Sequence, residues 1–265
     1  MEQETNSTDK STSESGGEEK KNTKLFIGAI ILIILLIGGG AYFLLVGQDE
    51  PDLEIKEMQA FDTSIEPPEL ERELTFPAEF PEDARQILIQ KLENLREALT
   101  EDPTDFGSWL DLAILYKTVE DFENAEEIWL FLNEAVAGQS VSFHNLGSLY
   151  HLHLQDYRES EKQYKQAIEI APTNLIHYFG LHELYRYSYK TDTTLAVDIL
   201  ADALNKVADE PGEIDVYITL GSYYKEKGDR TNAIANYTKA RDRAEELGND
   251  RLVTQLETEI RALQN

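Results

Sequence analysis

The chain has 265 residues, of which 51 are acidic and 24 basic, and its formal net charge is −27. Such an excess of negative charge repels phosphate backbones and argues against nucleic-acid binding. The sequence contains no cysteine, which excludes disulfides, thiol nucleophiles and zinc–thiolate sites.

The N-terminal region divides into a polar tail and a long apolar run. Residues 1–24 are rich in Ser, Thr, Glu and Lys and offer too little apolar surface to offset the entropy of folding, so we expect a disordered tail. Residues 25–46 are apolar and uncharged. As a helix this run is about 33 Å long, enough to cross a hydrocarbon core of about 30 Å. The sequence therefore predicts one transmembrane helix at 25–46.

Charged residues on the two sides of this run predict its orientation. Lys20, Lys21 and Lys24 precede it, and an acidic stretch follows. Because lysines next to a membrane span remain in the cytoplasm, we expect a cytoplasmic N-terminus and an extracytoplasmic remainder, anchored in the inner or plasma membrane. The main alternative is a cleaved signal peptide, whose apolar core would be about 7–15 residues long and would end in a small-x-small cleavage site.

The segment that follows the apolar run reads as a linker. Residues 47–80 are acidic and include Pro51, Pro67, Pro68 and Pro77. Proline interrupts helices and favours extended chain. We therefore predict a linker at 47–80 and a folded domain from residue 81 to the end.

Residues 81–265 repeat a spacing of aromatic, leucine, small and tyrosine residues about every 34 positions. In three copies these residues are Trp109, Leu112, Ala113 and Tyr116; Phe143, Leu146, Gly147 and Tyr150; and Tyr217, Leu220, Gly221 and Tyr224. A fourth copy, with Tyr178, Leu181 and Tyr185, has His182 in place of the small residue. This spacing resembles the tetratricopeptide repeat, a pair of antiparallel helices that approach closely at small residues.

The resemblance implies an all-α fold, a solenoid of helix-turn-helix repeats. It divides the domain into a half-repeat or N-terminal cap, four repeats and a capping helix, at 81–105, 106–139, 140–174, 175–213, 214–247 and 248–265. The repeat at 140–174 needs one extra residue between His151 and Asp156, and the repeat at 175–213 needs about two near Thr191. A terminal helix with one apolar stripe is what the open end of a solenoid requires.

The resemblance also implies a concave groove, lined by the first helix of each repeat, in which family members hold peptides or partner proteins. Residues offset from the packing positions should face it. They are Leu110, Ile114 and Lys117; His144, Ser148 and His151; Phe179, Glu183 and Arg186; and Ile218, Ser222 and Lys225. Some members grip a C-terminal carboxylate with paired Lys, Asn and Arg, but these positions are mainly apolar, His or Ser in the first three repeats. We expect an extended peptide or a partner helix held by apolar and aromatic contacts.

The sequence offers no pattern for catalysis or metal binding. His151 and His153 are two residues apart, and on a helix they diverge by about 200°, so they are not expected to share a metal ion. A phosphate-binding loop and the hydrolase motifs are also missing. We expect neither enzyme activity nor a cofactor nor a small-molecule substrate.

The combined reading is a membrane-anchored scaffold for a protein or peptide partner. Two alternatives stay open. One is an extracytoplasmic, chaperone-like holder of secreted or membrane client proteins. The other is a regulatory tether whose cytoplasmic tail also binds a partner.

Overall fold

The computed structural model describes residues 60–265. The predicted tail at 1–24, the predicted membrane helix at 25–46 and the first part of the predicted linker lie outside the described residues. From residue 60 to the end, the structure has no helix that is both long and apolar enough to cross a membrane.

The described part of the chain is built from α-helices, without strands. They are α1 (Glu82–Glu101), α2 (Phe106–Thr118), α3 (Phe122–Ala135), α4 (Val141–Leu149), α5 (Tyr157–Ile170), α6 (Leu175–Glu183), α7 (Leu195–Lys206), α8 (Glu213–Glu226), α9 (Arg230–Glu246) and α10 (Asp250–Gln264). Two π-helical turns, Tyr150–Leu154 and Leu184–Ser188, follow α4 and α6 directly. The order confirms the predicted all-α solenoid of helix pairs, with α2, α4, α6 and α8 as the first helices.

Aspartates at equivalent positions begin the second helices of three repeats. The side chains of Asp121, Asp156 and Asp229 each accept a hydrogen bond from the backbone N–H three residues further on, at 3.0 to 3.3 Å. Such a cap satisfies one of the four N–H groups that a helix start leaves without an intrahelical partner. The turn between the two helices of a pair is therefore specified locally.

The first and second helices of a repeat meet where a small residue faces an aromatic ring. A Cβ atom added at Gly147 would lie 2.7 Å from the ring of Tyr164, and one added at Gly221 would lie 2.6 Å from the ring of Tyr237. Tyr164 also lies against Gly180 of the next first helix, so its ring fills the space between α4 and α6. Glycine at these places permits an approach that any larger residue would prevent.

The repeat at 175–213 solves the same packing problem differently. His182 occupies the place of the glycine, and Leu200 occupies the place of the tyrosine ring. The imidazole is almost completely buried, and its Nδ1 lies 2.7 Å from the carbonyl oxygen of Ala196. A larger residue on the first helix is thus accompanied by a smaller one on the second.

Residues 60–80, which the sequence suggested to be linker, pack on α1, α2 and α3, and we call them the strap. Phe61 lies against Phe131 with ring centroids 5.7 Å apart, and the N–H of Asp62 donates to the carbonyl of Ala135 at 2.8 Å. Ile65, Leu70 and Leu74 also contact the apolar core of the first repeat. The folded unit therefore begins before residue 81.

Polar side chains of α1 and α2 donate hydrogen bonds to backbone carbonyls in the middle of the strap. The guanidinium of Arg96 donates to the carbonyls of Leu70 and Arg72, and the hydroxyl of Tyr116 donates to the same Arg72 carbonyl at 2.7 Å. The side chain of Arg72 forms an ion pair with Glu127 on α3. These bonds satisfy carbonyls that have no regular secondary structure to pair with.

The two π turns lie where the middle repeats carry extra residues. The turn Tyr150–Leu154 accommodates the additional residue of its repeat, and Gln155 after it takes a left-handed conformation with φ of 56°. The turn Leu184–Ser188 leads into the longer insertion of the next repeat. A π turn places one more residue in the helix, so the residues that follow face a different direction.

Glu161 on α5 holds the inserted loop in place. It accepts hydrogen bonds from Lys165 at 2.6 Å, from Lys190 at 2.7 Å and from the hydroxyl of Tyr185 at 2.6 Å. Burial by itself raises the pKa of Glu161, but these three hydrogen bonds outweigh it and bring the pKa to about 2. The carboxylate thus joins the repeat at 140–174 to the insertion that follows it.

The glycine contacts predict a large effect of a side chain at residue 221. Gly221→Leu is expected to lower the free energy of unfolding by about 1–3 kcal/mol, because the added atoms overlap the Tyr237 ring. Thermal or denaturant unfolding measures it. Gly107→Ala is the control, since its Cβ would meet only the flexible Asp105 side chain at 3.3 Å. Equal stability of Gly221→Leu and the parent would contradict the packing described here.

Candidate partner-binding face

The twelve predicted groove residues lie on the first helices α2, α4, α6 and α8 and on the two π turns, and we call this surface the groove face. The burial pattern separates it from the packing side. Leu112, Ala113 and Tyr116 of α2 are buried, whereas Ile114 on the same helix is 39% exposed. The offset from the packing positions therefore identifies an accessible side of this helix.

Further apolar side chains on this face are exposed in the two middle repeats. Val141 and Ile176 occupy equivalent positions at the starts of α4 and α6, and Ile176 is 51% exposed. Leu152 and Tyr187 occupy equivalent positions in the two π turns and are 53% and 57% exposed. Sequence reasoning missed these four residues, although the repeat spacing that located the other groove positions also aligns each pair.

Three predicted groove residues instead connect neighbouring repeats. His151 is buried, and its Nε2 lies 2.9 Å from the hydroxyl oxygen of Ser188. Lys225 pairs with Glu259 of α10 at 2.6 Å. These side chains already have partners within the solenoid, so their presence needs no bound ligand to explain it.

Arg186 is the most strongly engaged of the three. Its side chain is only 9% exposed, forms an ion pair with Glu226 of α8, and lies 4.8 Å from the ring centroid of Tyr187 and 5.8 Å from that of Tyr223. Arg186 therefore joins the second π turn to α8, and its contact with a ligand in the groove stays a prediction. Replacing it would disturb the contact between repeats as well as any ligand.

The remaining predicted residues have mixed environments. Leu110, Phe179 and Ile218 are half-buried and pack against the apolar cores beneath them. Ser148 and Ser222 are half-buried. Glu183 is exposed, whereas Lys117 and His144 are half-buried. The accessible centre of the face is therefore apolar, with few charges available to a ligand.

The histidines pack against rings and polar groups of their own repeat and of the neighbouring one. His144 lies 5.4 Å from the ring of Tyr164 and 5.2 Å from the ring of His177, and Nε2 of His177 lies 3.0 Å from the hydroxyl oxygen of Ser140. Within residues 60–265, no group of three or more His, Asp or Glu side chains is placed to hold a metal ion. These histidines pack as neutral rings.

Burial accounts for the low basicity of these rings. It lowers the pKa of His144 to about 4, with a further contribution from the positive charge of Lys117. It lowers the pKa of His177 to about 3 and that of His182 to about 4. An imidazolium in these places would lose its hydration without gaining a carboxylate partner.

Comparison with protein families decides what the repeats are. The model of the tetratricopeptide repeat matches residues 141–174 and 214–246, which are the second and fourth of the predicted repeats. Residues 141–174 and 214–246 are tetratricopeptide repeats. In the two matched repeats a glycine of the first helix contacts a tyrosine ring of the second. The repeat at 175–213 has His182 at the glycine position and also carries an insertion. No curated protein matches the sequence.

Three solved structures match this chain at low sequence identity. Two crystal structures of MamA match with 18% sequence identity; one has a TM-score of 0.48 and covers 66% of this chain and 99% of MamA, and the other has a TM-score of 0.47 and covers 63% and 88%. A crystal structure of YrrB, described as a TPR protein with an unusual peptide-binding site, matches with 18% identity, a TM-score of 0.44 and coverage of 66% and 86%.

The buried histidines predict that acid destabilises the folded domain. In the unfolded chain they take up protons near pH 6.5, but in the folded domain only near pH 4 or below. The unfolded state therefore binds more protons between these values, and stability is lost as the pH falls through this range. Each histidine contributes a slope of about 1.4 kcal/mol per pH unit.

Denaturant unfolding between pH 7 and pH 4.5 measures this slope. His182→Asn is the matched variant, because the asparagine amide can still donate to the Ala196 carbonyl but does not titrate. It should unfold with a shallower pH dependence than the parent. An unfolding free energy that is equal at pH 7 and pH 5 would contradict the neutral, buried state of these rings.

Proposed function

We propose that the chain is a scaffold whose groove face binds a segment of a partner protein, centred on the repeats at 140–174 and 175–213. The observation that carries the proposal is the pairing of exposed apolar residues. Val141 matches Ile176, and Leu152 matches Tyr187, at both ends of adjacent first helices. Exposed apolar groups that recur in register on one face are typical of a surface that a partner covers.

A polypeptide suits this surface better than a small molecule. The exposed apolar groups are spread over neighbouring helices rather than gathered around one enclosed cavity. Each of the two middle repeats carries one such pair, so a ligand must extend along both repeats to reach all four side chains. An extended segment or an amphipathic helix with apolar side chains at regular intervals meets this requirement.

The test begins with the partner itself. Crosslinking of the full chain in intact cells identifies what is held, and binding of that partner is then measured with purified proteins. Leu152→Ser combined with Ile176→Ser should weaken it by at least about tenfold, close to 1.4 kcal/mol. Both side chains are exposed, so the melting temperature should be nearly unchanged.

The control variant makes the same kind of substitution, apolar to serine, at two exposed positions outside the groove face. Ile87→Ser with Leu247→Ser removes two apolar side chains that are 62% and 48% exposed but lie outside the groove face. This variant should bind like the parent. If the groove variant also binds like the parent, the site lies elsewhere. Capture of many unfolded chains instead of one stoichiometric partner would favour the chaperone-like alternative.

We further propose that the apolar run 25–46 anchors the chain in the cell membrane, with the repeats outside the cytoplasm. The support is the length of the run and the lysines before it. Protease added to spheroplasts or right-side-out vesicles should degrade the repeats. Protection of the repeats until the vesicles are lysed would reverse the orientation, and recovery of the repeats in the soluble fraction would contradict the anchor.

A further inference from the structure

Three exposed residues of the repeat at 175–213 follow one another on the same side of its first helix. They are Ile176, which is 51% exposed, Glu183, which is also exposed, and Tyr187, which is 57% exposed. Glu183 follows Ile176 after seven residues, which is about two turns of an α-helix. Tyr187 follows Glu183 after four residues, close to one turn further along. The carboxylate of Glu183 therefore lies between two of the apolar residues of the groove face.

Glu183 has no charged partner, in contrast to neighbouring charges on the same face. Lys225 pairs with Glu259 at 2.6 Å, and Arg186, nearly one turn after Glu183, pairs with Glu226. In the part of the chain that the structure describes, the carboxylate of Glu183 forms neither an ion pair nor a hydrogen bond. It is exposed, so a ligand in the groove can reach it.

The surroundings of this carboxylate favour a positively charged ligand. Partial burial raises the pKa of Glu183, although the positive charge of Arg186 acts in the opposite direction. A carboxylate among apolar side chains has lost part of its hydration, and a ligand that covers the apolar groups removes more of it. A cation in the same ligand offsets this loss, because charges that are partly buried are screened less than exposed ones.

The ring of Tyr187 is a second group that attracts a cation. Tyrosine rings bind ammonium and guanidinium groups over their faces, and the guanidinium of Arg186 already lies 4.8 Å from the centroid of this ring. More than half of Tyr187 nevertheless remains exposed. Arginine suits the carboxylate and the ring better than lysine, because a planar guanidinium can donate two parallel hydrogen bonds to a carboxylate and lie flat on an aromatic ring.

We propose that Glu183 and Tyr187 bind the side chain of an arginine or lysine, with arginine preferred, in the segment that occupies the groove face. The proposal rests on the proposed function and adds one positive charge to the apolar ligand described there. Ser148, at the equivalent position of the neighbouring repeat, is uncharged, so the segment needs a cation at one repeat only. The net charge of −27 attracts such a segment to the protein, and Glu183 determines where its cation lies.

Selection from displayed peptides tests this assignment. Peptides of about twelve random residues are selected on the full chain and on its Glu183→Gln and Glu97→Gln variants. Glu97 is exposed on α1, outside the groove face, so its replacement removes the same charge at another place. The parent and Glu97→Gln should enrich peptides with Arg or Lys between apolar residues. Glu183→Gln should enrich apolar peptides without the cation.

Synthetic peptides from the parent selection give the affinity. Changing their cationic residue to Gln should weaken binding to the parent at least about fivefold, but to Glu183→Gln less than about twofold. Tyr187→Leu keeps an apolar side chain but removes the aromatic face, so it should reduce the preference for Arg over Lys in the same peptide. An unchanged preference would overturn the role of Tyr187. The melting temperature of Glu183→Gln should equal that of the parent, because the exposed carboxylate has no partner to lose.

The outcomes separate this inference from the proposed function. If selected peptides depend on Leu152 and Ile176 but show the same preference for a cation with and without Glu183, the inference fails and the groove remains. If Glu97→Gln reduces that preference as much as Glu183→Gln does, the overall charge of the protein attracts the peptides, and the inference fails in this case too. If no peptide depends on Leu152 and Ile176, the proposed function fails and the inference fails with it.

Discussion

The close approach of a glycine to a tyrosine ring is the contact on which the rest of the solenoid depends. Tyr164 presses on Gly147 and Gly180, and Tyr237 presses on Gly221. Because the ring leaves no space for a Cβ atom, each contact fixes how far the first helix slides and rotates against the second. The side of the first helix that faces away from the ring is set by the same contact. Packing inside the repeat thereby decides which residues lie on the groove face.

The middle repeats combine this regular packing with local departures from it. His182 and Leu200 exchange the sizes of the usual pair, and two π turns lengthen the first helices at the same place in adjacent repeats. Both turns bring exposed apolar residues and buried polar ones to the ends of α4 and α6. π turns are frequent at functional sites because they re-aim side chains without ending the helix. The region with most irregularity is also the one with most accessible apolar surface.

The sequence predicted the fold well because the fold depends on side-chain size at a fixed spacing. Gly147, Gly221 and their tyrosines are visible as letters, and their period identifies the repeats. The predicted groove residues lie on the first helices and on the two π turns, but the sequence did not show which of them have partners within the solenoid. Arg186 and His151 are held by Glu226 and Ser188, and such pairs across repeats depend on the rotation that the π turns introduce. The sequence shows that a repeat has an extra residue, but it does not show which turn of the helix becomes the π turn that contains it.

The strap shows a second kind of limit. Its prolines and acidic residues are typical of a linker, yet Arg96 and Tyr116 bind its backbone carbonyls. Every residue has a backbone carbonyl, so the composition of the strap does not predict these hydrogen bonds. The signal lies instead in Arg96 and Tyr116, which belong to α1 and α2 and have other plausible roles. A contact between two side chains requires particular residue types at both positions. A hydrogen bond from a side chain to a backbone carbonyl requires a particular residue type only at the donor.

The extra residues of the two π turns have a consequence for how such a chain can change over time. Each repeat of a solenoid contacts only its neighbours, so a residue gained in one repeat shifts the surface there without displacing the repeats at either end. The regular pair α8 and α9 and the capping helix α10 can keep the fold while α4 to α7 take up insertions. The part of the chain that conserves structure and the part that can acquire a new binding preference are therefore different stretches of sequence. Substitutions that change binding in one stretch therefore need not weaken the packing in the other.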